Sequence, residues 1–150
     1  MSRWQVAFLR AALLWLVSTG ALGLWVTLSP GLSALVRPTH AHMGTIGFFL
    51  GMVMGVAFWM LPRPGGIRQT GLEAATFLLL QAGLVLRVAG EPWWRAGGGA
   101  LPYALFVASG VCLLLAMLTF AYAMSKRVVT LAVVREKGLG RRRAAAQPDE

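Results

Sequence analysis

Four stretches of the chain are apolar for long enough to cross a bilayer, and short pieces rich in glycine and proline separate them. The stretches run over residues 6–28, 43–61, 72–88 and 102–124, each near the ~20 residues that a helix needs to span hydrocarbon. The pieces between them read SPGLSALVRPT, PRPGGIRQTG and EPWWRAGGGALP, and their prolines and glycines end helices and make turns. Within the last, Gly97–Gly99 reads as a flexible loop. Connections this short place successive helices antiparallel and adjacent. The pattern predicts an all-α integral membrane protein, a four-helix up-down bundle over residues 1–125 followed by a basic tail over 126–150. The first span is not read as a cleaved signal, because its apolar part, 11–28, outruns the roughly 7–15 residues of a signal core.

Composition agrees with the pattern. Of 150 residues, 57% are hydrophobic and 13% charged, about half the charged share of a soluble domain. The net charge of +9 raises the question of nucleic acid, and its distribution answers it. Seven of the fourteen Lys and Arg residues fall between Lys126 and Arg143, directly after a span, which suits anionic headgroups and the positive-inside rule. The partner expected for these charges is lipid, not nucleic acid. Counting both sides, Arg3, Arg10, Arg63, Arg68 and the seven tail residues oppose Arg37, Arg87 and Arg95. Eleven against three puts both termini in the cytoplasm and the histidines at the outer end of the second span, in the cytoplasmic membrane. The tail is expected to extend the last helix and lie along the inner headgroups. Cys112, alone and mid-span, reads as a small packing residue.

His40 and His42, the only histidines, open the second span. At about 100° per residue, Gly44, Gly47, Gly51 and Gly55 follow His40 on one face, and His42 lies about 200° round the helix. A zinc pair wants two histidines at i, i+4 on one face, so a zinc hydrolase is not expected. The glycine face has two readings. It packs against another helix, since small residues let membrane helices approach, or it leaves room for a flat macrocycle. Histidine at its head supports the second, because ionisable groups within membranes are usually functional.

The segment RPTHAHMGTIGFFLGMVMGVAFWMLPR, residues 37–63, resembles the second transmembrane helix of subunit I in haem–copper oxidases and nitric oxide reductases. It does so through "RPTH" at the opening and Trp59, Leu61–Pro62 and Arg63 at the close. The resemblance implies a chain built like one four-helix arc of that subunit. It implies His40, rather than His42, as an axial ligand to haem b, with Gly44, Gly47 and Gly51 beside the macrocycle. Arg87, near the outer end of its helix, either snorkels to the interface, the reading favoured here, or pairs with haem propionates. Two histidines cannot also supply a binuclear centre, so the chain is not expected to be an enzyme alone. Three readings follow. The first is a non-catalytic membrane subunit or homodimer serving respiratory electron transport or denitrification, with haem b on His40. The second is a cofactor-free assembly or stabilising subunit that docks through the glycine face. The third is a small four-helix transporter, for which Gln81 is the one strongly polar mid-span group.

Overall fold

A computed structural model describes residues 2–61 and 69–127. The tail expectations, the turn with Arg63 and Arg68, and the Arg141–Arg143 cluster lie outside these residues. Four helices form: α1 (Arg3–Leu28), α2 (Ser33–Met60), α3 (Thr70–Arg95) and α4 (Ala100–Ser125), each long and apolar enough to cross a membrane. The chain is a multi-pass membrane protein of all-α, four-helix construction. One end of the bundle carries the α1–α2 and α3–α4 connections with both histidines; the other carries Ser2 and Arg127. These are the histidine end and the terminal end.

Two boundaries depart from expectation, both through proline. α2 begins at Ser33 with Pro38 inside it, some ten residues before the expected start at 43. α3 runs through Pro92 to Arg95, seven residues past the expected 88. Proline removes one helical hydrogen bond; for Pro38 the freed carbonyl is that of Ala34, in the first turn of α2, and for Pro92 it is that of Val88. In α4, Pro102 falls in the first turn, where an N–H would have no helical partner in any case. The Gly97–Gly99 turn is built, not loose. Gly97 has φ +90°, Gly97 N–H donates to the Trp94 carbonyl and Gly98 N–H to the Trp93 carbonyl, both at 3.0 Å. This is a Schellman cap, which favours glycine at the left-handed position.

Within α2, residues Met43–Leu50 wind as a π-helix between two α-helical segments. Its i→i+5 bonds widen the helix directly below the histidines.

The core concentrates toward the terminal end. Phe8 packs on Phe58 and Phe77, and Phe58 meets Phe120 edge-on at 5.4 Å between centroids, so one aromatic cluster joins all four helices. α3 is the central element, touching α1, α2 and α4, and α4 rests along α3. Glycines set the α3–α4 approach: a Cβ on Gly83 would stand 2.8 Å from Leu113, and one on Gly90 2.9 Å from Leu105.

A buried polar latch closes the terminal end. Ser2 caps α1 in a capping box with Gln5, and both residues are then used again. Ser2 Oγ donates to Glu73 Oε2 at 2.5 Å, while Gln5 Nε2 donates to Glu73 Oε1 and to the Phe58 carbonyl, each at 3.0 Å. Arg127 Nη1 donates to that same carbonyl at 2.9 Å, and its Nη2 lies 3.6 Å from Glu73 Oε1. Glu73 and Arg127 are each 1% exposed. The latch satisfies a carbonyl orphaned at the end of α2 and sets a carboxylate at the start of α3, where the helix dipole favours it.

Candidate functional site

The histidine end holds the candidate residues, and they turn to different neighbours. His40 faces α1: a Cβ on Gly23 would stand 3.0 Å from His40 Cε1, and His40 Nδ1 is buried without a hydrogen-bond partner. Below it the glycine face continues against the same helix. A Cβ on Gly44 would meet Thr19 at 3.3 Å, on Gly47 Trp15 at 2.7 Å, on Gly51 Ala12 at 3.8 Å and on Gly55 Phe8 at 2.8 Å. The two helices thus mesh turn by turn, α1 supplying side chains at each step where α2 has none.

This geometry bears on both uses expected of the stripe. A macrocycle lying against Gly44, Gly47 and Gly51 would need the volume that Thr19, Trp15 and Ala12 occupy, so these glycines do not fit a haem in this fold. Nor is the stripe a free docking face, because α1 covers it. Arg87 is not drawn to this face either. Its guanidinium lies across the bundle against α4, 4.4 Å from the Phe106 ring centroid.

His42 is held differently. Its Nδ1 lies 2.8 Å from the Pro38 carbonyl. A carbonyl only accepts, so Nδ1 carries the hydrogen and Nε2 of the neutral ring keeps its lone pair. Ligating histidines are usually oriented by such a backbone bond on the opposite nitrogen. Beside it sits Glu91, whose Oε2 accepts from Thr39 Oγ1 at 3.1 Å and lies 3.8 Å from His42 Nδ1, while Oε1 is 3.3 Å from Arg95 Nη2. The Glu91 side chain is 2% exposed, against 31% for His42 and 38% for Arg95. Glu91 therefore joins α2 to α3 at this end much as Glu73 does at the other.

Sequence reasoning missed Glu91, which stands in the piece EPWWR read as a connection. Its i, i+4 spacing to Arg95 was the available signal. Midway down, Gln81 does not stand alone. Trp15 Nε1 donates to its Oε1 at 2.9 Å, beside a cleft of about 200 Å³ lined by Ala11, Leu14, Trp15, Ser18 and Gln81. Among the described residues, no three His, Cys, Asp or Glu side chains converge as a metal would require.

No family model, curated protein or solved structure matches this chain.

Proposed function

We propose that the chain is a non-catalytic accessory subunit of a respiratory haem–copper oxidase or nitric oxide reductase system. In this reading it sits in the cytoplasmic membrane with the histidine end outward and both termini inward. The link to that system rests on the resemblance of residues 37–63. The observation that favours a subunit over a self-contained protein is Arg87, which lies at membrane depth without a hydrogen bond or ion pair among the described residues. Both buried carboxylates serve the fold and the glycine seam serves α1, whereas Arg87, unlike the exposed Arg10 and Arg37, is partly buried with its Nε unpaired. The test is purification of the tagged chain in gentle detergent from membranes that contain the large oxidase or reductase subunit. Co-purification in constant proportion is expected; recovery as a free monomer would overturn the reading.

A second reading keeps haem b, and one observation favours it: the Nδ1-anchored ring of His42. His42, through Nε2, rather than His40 would hold a haem bound here, and the haem would supply electron transfer. A Soret band in the purified protein, lost in His42→Ala and kept in His40→Ala, would select this reading. Colourless protein from haem-replete cells would set it aside.

A further inference from the structure

We propose that Arg87 is the docking point for a transmembrane helix of a partner protein that carries a carboxylate at the same depth. This deepens the accessory-subunit reading and rests on it. Arg87 stands eight residues before Arg95, so roughly 12 Å below the histidine end of α3 at 1.5 Å per residue. A helix of 26 residues is about 39 Å long and crosses ~30 Å of hydrocarbon, leaving only ~4–5 Å at each end.

The side chain does not rise out of this depth. Its guanidinium lies over Phe106, and a Cβ on Gly110 would stand 4.0 Å from Nη2, which places it between these two levels of α4. Trp94 stacks on Phe106 at 4.8 Å. A Cβ at Gly110 would only touch the guanidinium, so a longer side chain there is what would displace it.

Arg87 Nε is buried without a partner, although the side chain as a whole is only partly buried. On α3 it falls between the face packed on α4 through Gly83 and Gly90 and the face joined to α2 through Glu91. Thr76 and Leu80 on the same sector are fully buried, so it is the partial burial of Arg87 itself that leaves it reachable at this level. A cation in hydrocarbon pairs with an opposite charge or a polar group wherever one is available.

Among the described residues the chain does not bring one to it. Its five acidic residues are Glu73, Glu91, Glu136, Asp149 and Glu150. Glu73 is held by Ser2, Gln5 and Arg127, and Glu91 by Thr39 and Arg95. The other three lie after Arg127 in the sequence, outside the described residues. A second copy would offer the same set, its two helix-borne carboxylates equally engaged. Lipid phosphates lie at the surface, about two turns above the cation. A carboxylate on a helix of different sequence meets both the depth and the charge.

The experiment co-reconstitutes the full chain in phosphatidylcholine vesicles with a designed leucine helix bearing one Glu about 12 Å from its histidine-side end. Association is read by energy transfer. The Glu helix is expected to associate about tenfold more tightly than the same helix with Gln, the order expected of a polar contact between membrane helices. Arg87→Gln and Gly110→Leu should each abolish that preference, and Arg10→Gln, on the exposed side of α1, should leave it intact. Formation of an Ala12→Cys/Gly51→Cys disulfide in each variant reports that the bundle still folds. Equal association of the Glu and Gln helices, or full preference in Arg87→Gln, overturns the proposal. So does loss of the preference when phosphatidylglycerol replaces phosphatidylcholine, because the cation would then belong to a headgroup of net negative charge. None of these outcomes depends on which complex the chain joins, so the docking inference and the oxidase assignment can fail separately.

Discussion

Gly47 shows how one missing side chain organises its surroundings. A Cβ there would stand 2.7 Å from Trp15 Cγ and 3.0 Å from Trp15 Cβ, the base of the indole, so the helices themselves would have to part. Trp15 is also committed to Gln81 through its indole N–H, so moving it strains a hydrogen bond with few alternatives in hydrocarbon. Gly47→Ala is expected to destabilise the protein by about 1–3 kcal/mol, the range of an overpacked core. Gly20, on the same helix as Trp15, has nothing within 4 Å of its Cβ position. Gly20→Ala should be neutral or slightly stabilising. Reversible unfolding in mixed micelles compares the two; equal effects would mean that Gly47 is not the contact the structure makes it. The histidines teach the same lesson, since residues of one type two positions apart meet a glycine seam on one side and a carboxylate on the other.

At the scale of elements, the four spans were legible because apolar length reads directly as a membrane helix. The glycine face was legible too, and of its two readings helix packing is the one this structure realises. Less visible were the places where a local rule yielded to its position. Pro38 and Pro92 looked like breakers, yet each lies within the first or last two turns of its helix, which continues through it. The π-helical stretch Met43–Leu50 has no marker in the hydrophobic pattern, and a wheel drawn at 100° per residue does not describe it. Gly44 and Gly47 nevertheless stay on α1, because the close approach rewards small residues at each turn of the seam. Glu73 and Arg127 escaped notice as a pair because one heads α3 and the other follows α4, and only the antiparallel return brings them together.

The seam has a direct covalent test. A Cβ on Gly51 would lie 3.8 Å from Ala12 Cβ, the mean separation across a disulfide. In a Cys112→Ala background, Ala12→Cys/Gly51→Cys should oxidise to an intramolecular bridge seen as a mobility shift reversed by reductant. Ala12→Cys/Val53→Cys should not, since Val53 is 42% exposed. Failure of the first pair under oxidant would mean that α1 and α2 meet along another face.

On the scale of the molecule, two carboxylates tie the ends of the bundle, and they are not equivalent. At the terminal end, Glu73 and Arg127 are both buried and share the Phe58 carbonyl and Gln5 as intermediaries. Removing one charge leaves the other stranded, whereas removing both leaves polar groups that Ser2 and Gln5 still satisfy. Arg127→Met is therefore expected to cost about 3–5 kcal/mol, the usual penalty for breaking a buried pair from one side. The double variant Glu73→Gln/Arg127→Met should recover much of that loss. At the histidine end, Glu91 keeps Thr39 when Arg95 is removed, and Arg95 is partly open to solvent, so Arg95→Met should be far milder. A double-mutant cycle at each end, read by the same unfolding assay, separates the two cases. A coupling at Glu73–Arg127 no larger than that at Glu91–Arg95 would mean that the terminal latch does not carry the closure of the bundle. In that event the aromatic cluster of Phe8, Phe58, Phe77 and Phe120 alone would hold the four helices together there.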